Sequence, residues 1–516
     1  MQVKTEQDEI QSFLRDASNT APGRAERVLV PESAAEAARA LAEAARAGTP
    51  VTVAGAGTGV VGGRVPAGGV VLSTHRLDRI GEVARDEAGG CVVAQAGVAL
   101  VDVHRRARSA GLFYPPDPTE WSCFVGGSVA TNASGARTFK YGPTRRYVRR
   151  LQVALTTGDL IELRRGAFRA DRSGRLGIPL GGGRSIEAQL PSYSMPATSK
   201  HAAGYFVEPG VDAVDLFVGS EGTLGVVTEA ELALLPLPPK VLSGVVFFDS
   251  EEKLLSFVEF ERRRSRSARW LKREGYLDPD RSGVEARVLE YFDAESLAFL
   301  RGRHDLVPAG AAGAVYFEQE LEEESEERLI FDWSESIENH GGLMDSSWFA
   351  VDEHDRDRIS AFRHDLPVMV NEWLARHGQR KVSTDMAVPD AAFAEMLDFY
   401  RETLRTRRLK YVIFGHIGDN HLHVNILPRD EDEAAAARDI YGHFIRKAVA
   451  LGGTISAEHG VGKLKRPYLR ELYGEEHLRE MAALKRAFDP SGILGRGNIF
   501  DEELIGTAEE PGRTFD

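Results

Sequence analysis

Three histidines and two asparagines crowd one short stretch, Tyr411-Val-Ile-Phe-Gly-His-Ile-Gly-Asp-Asn-His-Leu-His-Val-Asn-Ile-Leu427. Two apolar runs flank the tight sequence Ile417-Gly-Asp-Asn420, a pattern that predicts a β-hairpin. In the second run the side chains alternate. His421, His423 and Asn425 share one face, and Leu422, Val424 and Ile426 the other. A four-residue loop places His416 opposite His421 and diagonal to His423, close enough for two imidazoles to share an ion. Downstream comes Ala457-Glu458-His459-Gly460. Two imidazoles and a carboxylate make a usual divalent-metal set, and a further His beside them can act as a base. Hydrogen-bonded sheet histidines are the plain alternative, and a metal hydrolase fits the hairpin alone.

The elements that must position these residues begin with a β-α-β pattern. Residues 5–18 suit a short amphipathic helix, Val28 to Pro31 a strand, and the Ala-rich run from Glu32 to Gly48 a helix stopped by Gly48 and Pro50. Pro50 to Ala54 is a strand that enters Gly55-Ala-Gly-Thr-Gly-Val-Val-Gly-Gly63. This loop contains Gly57-x-Gly59-x-x-Gly62, with Asp78 about where a dinucleotide fold carries its ribose-binding acid. The Rossmann reading fails on the next residues. Gly62-Gly-Arg-Val-Pro-Ala-Gly-Gly69 cannot open the helix that motif needs, and no Gly-Lys-Ser/Thr makes it a P-loop. What remains is a backbone-amide cradle for a pyrophosphate, or a plain glycine turn.

Two more small-residue clusters follow. The extended Leu112-Phe-Tyr-Pro-Pro-Asp-Pro118 leads to Gly126-Gly-Ser-Val-Ala-Thr-Asn-Ala-Ser-Gly-Ala-Arg137, where the backbone can approach a flat ligand closely. Gly219-Ser-Glu-Gly-Thr-Leu-Gly-Val-Val227 precedes the strand-like alternation Glu229 to Leu235. Three such clusters suit one large cofactor, which a hydrolase would not need.

Composition bounds the rest. A chain of 516 residues exceeds one core, so two or three domains are expected. A net charge of −14 argues against nucleic acid as a partner. Two cysteines, Cys91 and Cys123, exclude a disulfide framework and a Cys-ligated iron–sulfur cluster. The polar, acidic start and the lack of an apolar run of about 18 residues predict a cytoplasmic protein without a transmembrane segment, peripheral to a membrane at most. The basic cluster Arg262, Arg263, Arg264, Arg266, Arg269, Lys272 and Arg273 reads as a solvated helix face, with a docking patch for an anionic surface or acidic acceptor as the sharper alternative.

Gly55-Ala-Gly-Thr-Gly59, Pro116-Asp-Pro118, Gly126-Gly-Ser-Val-Ala-Thr-Asn132, Gly219-Ser-Glu-Gly-Thr-Leu-Gly225 and Asp489-Pro-Ser-Gly-Ile-Leu494 stand in the order of the FAD-linked oxidase family, whose flavin fold is the vanillyl-alcohol-oxidase (PCMH) type. The chain resembles that family over residues 26 to 500. The hairpin and Ala457-Glu-His-Gly460 resemble its D-2-hydroxyacid dehydrogenase branch, the D-lactate, glycolate and D-2-hydroxyglutarate dehydrogenases.

The resemblance implies an α+β architecture. After an N-terminal arm (1–25), a two-subdomain FAD-binding domain spans 26–236. A cap domain with an antiparallel sheet spans 237–430, and a C-terminal helical segment (431–516) returns to the FAD domain. The stiff Leu235-Pro-Leu-Pro-Pro239 suits the domain junction; Val241 to Phe248 reads as a strand, Glu431 to Ala450 and Glu475 to Phe488 as helices.

The resemblance also implies roles. Ala56, Gly57, Thr58 and Gly59 would hold the FAD pyrophosphate. Gly126, Gly127, Thr131, Asn132, Gly135, Tyr141 and Gly142 would line the isoalloxazine and ribityl chain. Glu221, Gly222, Gly225 and Val226 would meet the adenine end or the linker, and Tyr205 would lie in a loop over the flavin. FAD is expected to be non-covalent, since residues 55–59 lack a tethering His and Cys123 reads as a packed thiol. His416, His423 and Glu458 would bind Zn, Mn or Fe. His459 would take the substrate's hydroxyl proton; Arg363 and Lys381 would bind its carboxylate and Asn425 its polar atoms.

Two departures from the family stand out. Asn420-His421 replaces the commoner Gly-Asn, so His421 is either an outer partner or a competing ligand. Pro367 stands where some relatives carry a hydroxyl for a distal carboxylate, which favours D-lactate over 2-hydroxyglutarate. Electrons would leave to a quinone, an electron-transfer flavoprotein, a cytochrome or an iron–sulfur subunit, and a homodimer is compatible with the chain. The alternatives are a non-redox enzyme like alkyl-glycerone-phosphate synthase, whose late motifs resemble Glu458-His-Gly-Val-Gly-Lys463, and a non-enzymatic subunit.

Overall fold

The parallel core of the first subdomain follows from the β-α-β start. In a computed structural model of the protein, which describes residues 1–274 and 283–505, strands Arg27–Val30, Val70–Ser73 and Val51–Ala54 pair in parallel. The intervening helix Ala34–Arg46 begins at Ser33, whose side chain accepts from the Glu36 amide, and buries Ala37, Ala38, Ala40, Leu41 and Ala44. The opening segment differs from the helix expected over 5–18. Gln2–Lys4 adds an antiparallel edge strand to Val28–Val30, and only Gln7–Ile10 is α-helical. Pairing with the sheet satisfies backbone groups that a short isolated helix would leave to water.

The second subdomain is antiparallel. Strand Val226–Pro236 lies at its centre, between Gly89–Gln95 and Val148–Ala154. Directly after it, Lys240–Phe248 enters a seven-stranded antiparallel sheet, so the Pro-rich stretch 235–239 marks the step from one sheet to the next. The order there is 348–350, 240–248, 313–321, 286–293, 411–415, 423–426, 382–383. Both faces are covered. Val245 and Phe247 pack with Phe362 and Leu366 of helix Glu353–Arg376; Val246 and Phe248 pack with Leu254 and Phe257 of helix Glu251–Arg273. That is why Val245 to Phe248 is apolar on both faces of the strand.

Helices Glu431–Ala450 and Arg466–Phe488 follow, the second broken at Gly474 (φ 78°), where the expected helix from Glu475 starts. The chain then returns to the first subdomain. The Val51 amide donates to Ile493 O (2.9 Å), and Leu494 joins the core under helix Ala34–Arg46. Residues 275–282 of the expected cap and 506–516 of the expected C-terminal segment lie outside the described residues.

The basic cluster is largely used inside the molecule. Arg262 and Arg266 both hold Asp390, Arg269 donates to Phe139 O, and Lys272 pairs with Glu285. Arg262 also donates through Nε to Gly418 O (3.0 Å), so this helix clamps the hairpin turn rather than presenting a free patch.

One buried acid in this sheet predicts a pH dependence. Asp293 caps the Ala294–Leu300 helix, accepting from the Ser296 amide, and burial raises its carboxyl pKa to about 7. The folded state therefore holds this proton between about pH 4 and pH 7 while the unfolded state has lost it. Stability from this group is present below that window and falls as pH rises through it. Asp293→Asn keeps a neutral cap acceptor. Its urea midpoint relative to wild type should rise between pH 4 and pH 8; a constant difference would contradict the assignment.

Candidate active site

The hairpin forms as its pattern requires. Strands Tyr411–Gly415 and His423–Ile426 pair with Phe414 opposite His423, and the His421 amide donates to His416 O (3.2 Å). A 3-10 turn, Ile417–Asp419, closes the loop, and Asn420 takes the left-handed conformation (φ 52°) common for Asn. His416 and His421 thus face each other, with ring centroids 5.3 Å apart and His423 at 5.5 and 4.5 Å from them.

Glu458 reaches this cluster from a distant segment. Its Oε1 lies 3.1 Å from His416 Nε2, and its Oε2 lies 3.7 Å from His423 Nε2. Ligand atoms of His416, His421, His423 and Glu458 all fall within 4.8 Å of one another. Outer partners orient two of the rings. His416 Nδ1 donates to Glu290 Oε1 (2.5 Å) and His423 Nδ1 to Thr384 O (3.0 Å), leaving each Nε2 turned toward Glu458. Such partners set the tautomer and aim of metal-binding imidazoles.

The electrostatics are those of a buried niche. Burial opposes a charge on His416, yet the carboxylates of Glu290 and Glu458 raise its pKa to about 9. Burial pushes His421 and His423 down to about 4, so both are neutral donors. Burial would raise Glu458, but His416 and Lys200 hold it well below the usual carboxylate range. Lys200, itself fully buried, donates to Glu458 Oε1 at 2.5 Å and to Gly135 O at 2.9 Å.

His459 stands beside Glu458, about a third exposed, with Nδ1 3.4 Å from Asp385 Oδ2. Asp385 is completely enclosed. It accepts from the amides of Glu458 and His459 (both 3.1 Å), from Ser456 Oγ (2.7 Å) and from Lys465 Nζ. Arg363 donates through Nε to Glu290 Oε2 (3.2 Å), so Glu290 joins it to His416. Asn425 is buried with its Oδ1 unpaired. Lys381 is exposed, just before edge strand Val382–Ser383, and has no partner among the described residues.

A cavity of about 330 Å³ brings much of this together. Ala56, Gly57, Thr58 and Gly59 line it, with Gly126, Gly127, Thr131, Glu221, Gly222, Gly225 and Val226, and Glu458 and His459 stand in its wall. A Cβ added at Gly59 or Gly127 would meet nothing within 4 Å, which is the open space a cofactor needs. Asn132, Gly135, Tyr141 and Gly142 are not in this lining. Asn132 accepts from the Arg145 amide, a Gly135 Cβ would lie 1.9 Å from Asp117 O, and the Tyr141 hydroxyl donates to Glu320 of the cap sheet. Tyr141 thus braces the contact with the cap sheet, while Asn132 and Gly135 pack against neighbouring segments of the FAD-binding part. Tyr205 is fully buried and packs through its hydroxyl on Thr223 (2.7 Å). Cys123 lines the cavity as a thiol whose pKa burial pushes up to about 12, which keeps it unreactive.

Sequence reasoning missed Arg64, Lys200, Glu290 and Asp385. Arg64 lines the cavity and donates from Nη1 to Gly55 O (3.0 Å). Lys200 and Asp385 lie in Lys200-His-Ala-Ala-Gly-Tyr205 and Lys381-Val-Ser-Thr-Asp385, beside Tyr205 and Lys381. Glu290, a charge inside an apolar strand, was the available signal.

Two α+β subdomains sharing a glycine-lined cavity, beneath an antiparallel cap, define an FAD-binding oxidoreductase of the vanillyl-alcohol-oxidase type. Residues 25–164 match the FAD binding domain model and 279–499 the model for FAD linked oxidases, C-terminal domain. The chain belongs to the FAD-linked oxidase family. It is 30% identical over 487 residues to the glycolate oxidase subunit GlcD of Bacillus subtilis, covering 92% of this chain and 89% of that one. It is also 30% identical to a D-lactate dehydrogenase of Anaerostipes hadrus, over 87% and 84% of the two chains. A solved alkyldihydroxyacetonephosphate synthase matches with TM-score 0.61 over 96% of this chain and 83% of its own, at 15% identity, a likeness of fold alone. Among the described residues, no helix is long and apolar enough to cross a membrane.

The open space at Gly127 can be used directly. Gly127→Leu should fold, because its Cβ clashes with nothing, but fill the cavity. The purified variant should be colourless yet melt within a few degrees of wild-type apoprotein. Retained flavin would remove residue 127 from the binding site.

Proposed function

We propose that the protein oxidises a small D-2-hydroxyacid, D-lactate above others, to the 2-oxoacid, using non-covalent FAD and a divalent cation and passing electrons to a separate acceptor. One observation supports this most. Glu458 and His459, adjacent in sequence, stand in the wall of the glycine-lined cavity while Glu458 also meets His416 and His423. Bound FAD supplies the acceptor for the C2 hydride. A divalent cation on His416, His423 and Glu458 supplies Lewis acidity toward the substrate's hydroxyl and carboxylate.

The chain's own groups do the rest. His459 takes the hydroxyl proton. Its Nδ1 is turned to Asp385, which leaves Nε2 for the substrate, and its lowered pKa keeps the ring neutral. Asp385 sets both residues of the pair by holding their amides. Arg363 keeps Nε on Glu290 and offers the rest of its planar fork to the substrate carboxylate. The unpaired Asn425 Oδ1 and the free Lys381 ammonium are further polar contacts for the substrate. Pro367, inside the helix that carries Arg363, has no hydroxyl for a distal carboxylate, which favours a monocarboxylate. The intact hairpin argues against the synthase chemistry, and the 30% identical relatives are named for a glycolate oxidase and a D-lactate dehydrogenase.

Anaerobic addition of D-lactate should bleach the yellow flavin, faster than D-2-hydroxyglutarate or glycolate, with L-lactate inert. A flavin that no 2-hydroxyacid bleaches would overturn the reading. His423→Ala should keep its flavin and lose metal, slowing bleaching at least ~100-fold. His459→Gln should keep both flavin and metal yet slow bleaching by about 10²–10⁴-fold. Equal bleaching after chelation would remove the metal from the mechanism.

A further inference from the structure

His421 is completely buried, and neither of its ring nitrogens makes a hydrogen bond among the described residues. That is an unfavourable state for an imidazole held for packing alone, because it has given up its water and Nδ1 has no hydrogen-bond partner in return. The surroundings are not apolar. Nδ1 lies 3.9 Å from Glu458 Oε1, and Nε2 lies 3.1 Å from Asp385 Oδ1.

The arrangement repeats what its two neighbours show. His416 has one nitrogen on Glu290 and the other toward Glu458; His423 has one on Thr384 O and the other toward Glu458. His421 presents Nδ1 to the same carboxylate, with Asp385 on its far side in the place of an outer partner. Its position is also held from outside. Arg262 donates to Gly418 O, and Asn420 Nδ2 donates to Asp390 (2.6 Å), so the turn before His421 is clamped at both ends.

We propose that His421 is a fourth protein ligand of the divalent metal, giving a donor set of three imidazoles and one carboxylate. This rests on the metal site proposed above for His416, His423 and Glu458. The donor count has a consequence for the ion. Four protein ligands saturate a tetrahedral zinc and leave no position for substrate. A six-coordinate ion such as Mn²⁺ or Fe²⁺ keeps two positions, the number that a hydroxyl and carboxylate of one hydroxyacid occupy. The site is therefore selective for a six-coordinate ion, and His421 makes it so.

The test counts imidazoles on the metal rather than turnover. The FAD-loaded enzyme is stripped with a chelator and reloaded with Mn²⁺ or Zn²⁺. X-ray absorption should find three imidazoles in wild type and two in His421→Asn. Mn²⁺ affinity, read by competition with a chelating dye, should fall more than ~100-fold in the variant, beyond the loss expected for an outer partner. FAD content should not change. Two imidazoles in wild type would overturn the proposal and leave the hydroxyacid reading standing. An unchanged count in His421→Asn would do the same, and if that variant fails to fold, the wild-type count decides alone. A protein that retains neither ion would overturn this proposal and the metal site together.

Discussion

A carboxylate taken out of water must find positive partners or take up a proton. Glu458 is buried, and the partners that keep it ionised come from far apart in the chain. Lys200 arrives from the segment that leads to Tyr205, Ser134 from the second glycine cluster, and His416 from the cap sheet. Each of these groups is itself buried and costly alone. Lys200 has no water to turn to, and the raised pKa of His416 depends on Glu290 and Glu458. The result is a mutually dependent set, in which losing one charge strands the others. FAD domain, cap sheet and C-terminal segment must all be in place for any of it to persist.

Asp385 and Glu290 extend the same logic outward. Asp385 is paired with Lys465 and holds the amides of Glu458 and His459, so a single carboxylate fixes the backbone of both residues. Glu290 sits in a strand whose neighbours on both sides are apolar, yet it binds Arg363 and His416 at once. Glu221 does comparable work behind the cavity, accepting from the amides of Val461 and Gly462 (2.6 and 2.7 Å). It anchors the segment just after Glu458-His459-Gly460.

Local rules made parts of the protein readable in advance. Hairpin register follows from loop length and period-2 alternation, and His416 does stand opposite His421. Glycine clusters announce close backbone approach, and residues 55–59, 126–127 and 221–225 do meet in one cavity. Other positions needed more. Gly135 and Tyr141 share the glycine-cluster signature but stand outside the cavity, because Gly135 packs against Asp117 O and Tyr141 bonds to Glu320 of the cap sheet. The basic helix at 251–273 has the pattern of a solvated face, and only the fold reveals that Asp390, Phe139 and Gly418 come to it.

By itself, then, the sequence determined the α+β pattern, the hairpin and its facing side chains, the glycine loops and the adjacency of Glu458 to His459. All are set by spacing within one segment, where covalent geometry leaves few choices. The tertiary structure decided which charges neutralise which. Lys200 with Glu458, Asp385 with Lys465, and Glu290 with Arg363 and His416 are pairings between segments remote in sequence. No local periodicity encodes them; they exist because burial in a shared core makes each unpaired charge too costly to leave alone.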